Sequence, residues 1–311
     1  MDSPQKAIYS IIERYVKGTR KENGPIGSLT GALNVKAREM ISLVGAGGKT
    51  TLMFRLAREL LLGGKKVVTT TTTKILEPTG DETPFLFIDP DEGKIKEFVR
   101  GHLDQYHHIT IARERIGSGK LKGVSSDLVD DLWSSPVMDT MIIEADGAAG
   151  RPVKAPREGE PVIPSSTTLV VAILGIDGVE MELGEEIVFQ AERVSRMTGI
   201  LMGERMTDEA MAVLMTHSEG IFKGAPALSR VIAFLNKVDI PDGIAKAKRV
   251  AEKILVVDDE RPIRELVDLI LARAGYEAIK ASNGREAIDV AAKENPQLII
   301  LDMSFIDWSR R

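Results

Sequence analysis

The chain has 311 residues, a formal net charge of -5, 43% apolar and 28% charged residues, sparse aromatics at 5% and no cysteine. The length allows one large or two ordinary domains with buried cores, and aliphatic rather than aromatic filling favours an α/β architecture. An acidic balance with scattered Lys and Arg offers no field for nucleic acid, and without cysteine there can be no disulfide, thiolate metal site, iron–sulfur cluster or cysteine nucleophile, as fits a cytoplasmic protein.

Residues 1–23 have the spacing of an amphipathic helix, with Ile8, Ile11, Ile12 and Tyr15 on one face, and a Gly-, Asn- and Ser-rich linker follows to residue 35. The opening lacks the apolar run of a signal peptide, and no later segment approaches membrane-spanning length, so a membrane partner is not expected. From residue 36 the pattern alternates. Strand 40–44, a glycine turn and a helix over 50–62 with Leu52, Leu56 and Leu60 at helical spacing lead into the strand "KKVVTT". Further apolar strands are expected at 84–88, 107–112, 140–144, 168–175 and 230–235. Near-continuous apolar strands of this kind belong to a mostly parallel sheet covered on both faces. A second βαβαβ series runs from 253 to 301, with helices over 261–274 and 284–294. The expected domains are therefore an N-terminal helix and linker (1–35), a P-loop nucleotide-binding domain (36–250) and a receiver-like segment (251–311).

The stretch "SLVGAGGKTT" (42–51) departs from the strict phosphate-loop spacing, because Leu43 stands five residues before Gly48. A shortened form, G-A-G-G-K-T-T, nevertheless follows a strand and opens a helix, so the amides of Gly45, Ala46, Gly47 and Gly48 can converge on an anion. Lys49 would reach the β- and γ-phosphates and Thr50 would sit on Mg²⁺, with Thr51 completing the motif. At the end of strand 140–144 the run "EADGAAG" places Glu144 and Asp146 where a carboxylate would orient Mg²⁺ or its water; sequence does not choose between them. "FLNKVD" carries N-K-x-D at another strand end. In that motif Asp239 accepts from the N1 and N2 groups of guanine, the Lys237 stem covers the ring and Asn236 braces the loop. Adenine presents an acceptor at N1 and has no N2 amino group, so Asp239 would favour GTP over ATP. In "VVTTTTTKI", Thr69 and Thr70 read as strand residues, while Thr72, Thr73 and Lys74 are candidates to face the substrate or γ-phosphate. Arg151 and Lys154 in "GRPVKAP" are candidates for an anionic substrate. His107 and His108, adjacent at a strand start, point to opposite faces and cannot share a metal from one side.

The ordered motifs "LVGAGGKTT", "TTTTKI", "IIEADGAAGRPVKAP", "LGIDG", "ERVSRMTG", "GIFKGAP" and "FLNKVD" resemble the selenium-dependent hydroxylase accessory proteins of the YqeC family over about residues 36–250. The resemblance implies a nucleotide-binding accessory role in maturing a selenium-dependent molybdenum hydroxylase, with that enzyme or its cofactor intermediate as partner. It implies a phosphate loop at Gly45, Gly47, Gly48, Lys49 and Thr50, an acidic strand end at Glu144 and Asp146, and base reading by Asn236, Lys237 and Asp239. A Mg²⁺-dependent nucleoside triphosphatase and a non-hydrolysing nucleotide-gated module both fit. The short loop and its threonines are also similar to Mur-type ligases, which leaves an ATP-dependent ligase open.

From "KILVVDDE" to "LIILDM" the chain is similar to the amino-terminal half of a response-regulator receiver domain, a flavodoxin-like βαβαβ pattern. There the resemblance implies that Asp258 and Asp259 hold Mg²⁺ and that Asp302 accepts a phosphoryl group. After Met303 the pattern gives way to "SFIDWSRR", which leaves the receiver incomplete and its signalling disfavoured, as in a chimera of two families.

Overall fold

The computed structural model describes residues 28–117, 119–251, 254–257, 278–282, 286, 289–290 and 298–301. The helix expected over 1–23, the carboxylates Asp258, Asp259 and Asp302, the helix over 261–274 and most of that over 284–294 lie outside these. The described chain divides into two units, one comprising residues up to 44, 49–147 and 162–170, the other 45–48, 148–161 and 171 onward.

The elements of the first unit, in chain order, are α1 (Leu29–Ala32), β1 (Glu39–Gly45), α2 (Lys49–Leu62), β2 (Val67–Thr71), β3 (Lys74–Leu76), β4 (Leu86–Ile88), α3 (Glu92–Tyr106), β5 (His108–Ala112), β6 (Glu114–Ile116), β7 (Lys120–Lys122), α4 (Ser126–Trp133) and β8 (Thr140–Glu144). Five of its strands pair in parallel in the order β1–β8–β2–β5–β4. Every residue of β1, β2, β5 and β8 is buried, as befits a parallel sheet with helices on its faces. The side of α2 that carries Leu52, Leu56 and Leu60 is buried, together with Met53, Phe54, Ala57 and Leu61. On α3 and α4, Ile95, Val99, Leu103, Leu128, Val129 and Leu132 join Met40, Val68, Ile109, Ile111, Met141 and Ile143 in one core. A small antiparallel sheet, β3–β7–β6, had no counterpart in the expected pattern; its strands are three residues each, too short to show alternation.

The paired histidines are one correction. His107 is not in a strand: it ends α3 with a left-handed φ of 58°, its N–H bonded to Leu103 O, and β5 starts at His108. The alternation argument therefore does not apply, because the two residues belong to different elements. His108 itself is buried in a hydroxyl network. Its Nε2 lies 3.1 Å from Thr69 Oγ1, which is 2.7 Å from Thr110 Oγ1, and Thr110 donates to Thr83 Oγ1 at 2.8 Å.

The second unit holds β9 (Val153–Lys154), most of β10 (Leu169–Gly175), β11 (Val188–Phe189), α5 (Ala191–Thr198), α6 (Asp208–Thr216), β12 (Arg230–Asn236), α7 (Gly243–Ala251), β13 (Ile254–Val257), β14 (Ala278–Ala281) and β15 (Leu298–Leu301). β10 is buried throughout, whereas β12 beside it is only half-buried, less covered than its apolar sequence implied. Arg249 of α7 bonds Asp208 of α6 at 2.6 Å. The late series forms a separate parallel sheet of order β14–β13–β15, with Ile254 opposite both Ala278 and Leu298. A central first strand flanked by the second and third is the arrangement that right-handed βαβ crossovers on both faces produce. Among the described residues no helix is long and apolar enough to cross a membrane.

Candidate functional site

Within the second unit, Gly45, Gly47 and Gly48 have φ of 94°, 84° and 128°, values that disfavour any side chain. Space forbids one too. A Cβ on Gly45 would stand 2.2 Å from Ile173 O, and one on Gly47 would stand 2.3 Å from Gly175 N. The turn is tied down where it passes these neighbours: Ala46 N–H donates to Ile173 O at 2.8 Å, and Asn236 Nδ2 donates to Gly47 O at 2.8 Å. Asn236 stands where a Gly48 side chain would go, 2.3 Å from its would-be Cβ. Lys237, left-handed at φ 62°, bonds Asp177 Oδ2 through Nζ at 2.6 Å. Asp177 lies just past β10, with its Oδ1 2.4 Å from the Cβ position of Gly175. Asp239 is exposed.

The first unit takes over at Lys49, the first residue of α2. Because β1 and β8 are parallel neighbours in register, with Leu43 opposite Glu144, their carboxyl ends share one edge. Lys49 Nζ lies 3.1 Å from Asp146 Oδ1 and 3.8 Å from Glu144 Oε1. All three side chains are almost out of water, at 4%, 0% and 7% exposure. Thr50 donates to Glu144 Oε2 at 2.7 Å. An ion cluster this buried is costly unless its members neutralise one another. Here the Lys49 ammonium lies between the two carboxyl groups of Asp146 and Glu144. Thr51 is exposed on α2.

Thr71 Oγ1 donates to Glu144 O at 2.7 Å, which locks the end of β2 to the end of β8. Thr72 Oγ1 donates to Val162 O at 2.7 Å, Thr73 N–H donates to Thr71 Oγ1 at 3.0 Å, and Lys74 is exposed on β3. The first two thus have local structural partners. In the second unit Lys154 is fully buried and bonds Glu160 Oε2 at 3.2 Å, while Arg151 bonds the Glu185 carbonyl. Asp177 was missed in the sequence because it follows its strand as an ordinary helix-starting acid. Only its place against Gly175 and Lys237 marks it. Arg157 and Phe189, described below, were missed because they lie 32 positions apart.

Among the described residues no group of three or more His, Cys, Asp or Glu side chains is placed to hold a metal. The set fits magnesium in another way: with nucleotides the ion takes one or two carboxylates and completes its shell from phosphates and water. Within the first unit, Glu144 and Thr50 offer one carboxylate and one hydroxyl of that kind; within the second, the glycine turn, where three Cβ atoms would collide, is the kind of backbone that a phosphate can approach closely.

Comparison with known proteins bears on both halves. The YqeC protein family model matches residues 41–192. The uncharacterized protein YqeC of Escherichia coli is 32% identical over 202 residues, which are 65% of this chain and 77% of that one. The response regulator receiver domain model matches residues 254–307. Sporulation initiation phosphotransferase F of Bacillus subtilis is 46% identical over 52 residues, and a probable transcriptional regulator ycf27 of Porphyra purpurea is 54% identical over 52; the chain spans 42% and 21% of their lengths. Among solved structures, the signal recognition particle 54 kDa protein of Aeropyrum pernix in complex with GDP aligns at a TM-score of 0.31 and 14% identity, over 93% of this chain and 61% of that one, and this distant likeness carries no argument.

Proposed function

The chain belongs to the YqeC protein family, and from that premise we propose that residues 36–250 form a Mg²⁺-dependent, GTP-directed nucleotide-binding domain that hydrolyses its nucleotide to assist maturation of a selenium-dependent molybdenum hydroxylase. One observation carries the reading. A turn whose glycines, Gly45, Gly47 and Gly48, leave no room for a side chain runs directly into Lys49 and the amino end of a 14-residue helix, and the dipole of a helix start favours an anion.

On this reading Lys49 and the amides of Gly47 and Gly48 hold the phosphates; the Ala46 amide, expected among them, instead donates to Ile173 O. Lys49 then exchanges Asp146, its ion-pair partner at 3.1 Å, for phosphate oxygens. Of the two acidic candidates, Glu144 is the one bonded to Thr50, so this pair orients Mg²⁺ and Asp146 serves as counter-ion to the lysine. Asn236 braces Gly47 from the base side, the Lys237 stem lies under the ring, and Asp239, exposed at the loop, accepts from guanine N1 and N2. Bound triphosphate supplies the phosphoanhydride bond whose cleavage would power a change in the client. The family resemblance supports the accessory role.

The test is nucleotide competition on the purified chain. GTP should displace a labelled guanine nucleotide at lower concentration than ATP, and Asp239→Asn should erase the difference; equal affinity in the unmutated protein would refute guanine selection. Phosphate release no faster than that of Lys49→Ala would refute hydrolysis.

A further inference from the structure

Three cations of the second unit surround one aromatic ring. The Phe189 centroid lies 4.4 Å from Arg157 Cζ, 5.4 Å from Lys154 Nζ and 5.6 Å from Arg151 Cζ. The local backbone explains the convergence: β9 and β11 pair in parallel with Phe189 opposite Lys154, and Ala155 N–H donates to Phe189 O at 3.1 Å. Lys154 is buried, and its ammonium is bonded to Glu160 Oε2 at 3.2 Å. Arg157 is exposed and Arg151 half-exposed. Among the described residues neither guanidinium has a carboxylate at ion-pair distance. Arg151 donates only to the carbonyl of Glu185.

Two arginines gathered this closely repel each other, and the ring face offsets part of that repulsion. Two guanidinium forks without a carboxylate at ion-pair distance, gathered on one ring, form the donor set that grips phosphate oxygens bidentately. The location also matters. Pro152, between Arg151 and Lys154, accepts from Gly175 N–H at 3.0 Å, and its carbonyl lies 3.0 Å from the would-be Cβ of Gly47. The segment that carries the cations is thus also a wall of the glycine turn.

We infer that Arg151 and Arg157, which share the Phe189 ring with the buried Lys154, form a second anion site for a phosphate- or pyrophosphate-bearing molecule distinct from whatever the glycine turn binds. Such a ligand would sit beside the turn as a co-substrate or cargo. The inference stands whether or not the turn binds nucleotide.

The experiment follows the arginine Nε–H NMR signals of the full chain, assigned through Arg151→Lys and Arg157→Lys, during titration with inorganic pyrophosphate at low salt. The signals of Arg151 and Arg157 should shift together and saturably, and Arg157→Ala, a change at an exposed side chain, should weaken the apparent affinity read at Arg151 about tenfold. Calorimetry on Lys49→Ala distinguishes the two sites, since pyrophosphate binding that survives there and falls with Arg157→Ala belongs to the Phe189 cluster. Shifts absent from both arginines, or pyrophosphate binding that disappears entirely with Lys49→Ala while Arg157→Ala leaves it intact, would overturn the proposal.

Discussion

The Thr50 hydroxyl donates to Glu144 Oε2 at 2.7 Å, which joins the first turn of α2 to the end of β8 across 94 residues of sequence. On the proposed reading this bond makes Glu144 the carboxylate that orients magnesium, while Asp146 lies nearer the Lys49 ammonium, at 3.1 Å against 3.8 Å for Glu144. Glu144→Gln keeps the shape and removes the charge. Nucleotide affinity in Mg²⁺ should fall about 10- to 100-fold, as for other partners of metal-bound groups, while affinity in EDTA should change little. Equal losses in both conditions would argue against a metal role.

Gly47→Ala and Gly64→Ala form a matched pair. Both positions have positive φ, 84° and 76°, yet a Cβ on Gly64 meets nothing within 4 Å while one on Gly47 strikes Gly175 backbone. Gly64→Ala should cost about 1–2 kcal/mol of stability from left-handed strain alone. Gly47→Ala should cost more and abolish nucleotide binding. Urea unfolding and calorimetry measure the two effects, and comparable stability losses would contradict the close approach seen at Gly175.

Asn236 and Asp239 should separate by phenotype. Removing the Asn236 amide frees Gly47 O, which lies in the turn, at a cost of about 1 kcal/mol for the lost bond. Asn236→Ala should therefore weaken GTP and ATP alike, about fivefold by that energy. Asp239→Asn should change their ratio. Competition assays on both variants make the comparison, and a selectivity change in Asn236→Ala would assign base reading differently.

Burial depresses the His108 pKa from its ordinary 6.5 to about 3. The folded state thus holds a neutral imidazole between those values while the unfolded chain takes up a proton. The stability contributed is complete above pH 6.5 and declines as pH falls towards 3, by about 1.4 kcal/mol per pH unit in this window. Melting temperatures of the unmutated chain and His108→Asn, compared from pH 7 to pH 4, should converge on acidification. A constant difference would contradict a neutral buried imidazole.

Local order made much of this legible. The strand, glycines, Lys-Thr and helix follow one another within 24 residues, from Glu39 to Leu62, and each signal concerns neighbours in sequence. The α/β character and the late parallel series were readable for the same reason, since strand burial leaves apolar runs and crossovers leave helical spacing. His107 misled because an apolar strand pattern does not reveal that the preceding helix overruns it to a left-handed cap.

The sequence by itself determined the backbone freedom of Gly45–Gly48 and the set of charged groups available, because side-chain chemistry and permitted φ are properties of each residue alone. Only the tertiary structure decided the partners. It inserted β8 between β1 and β2, which set Glu144 against Thr50 and Asp146 against Lys49, and it laid Asn236 on Gly47 and three cations on Phe189. Those pairings depend on strand order and register, which follow from burying apolar surface over the whole chain rather than from any local signal.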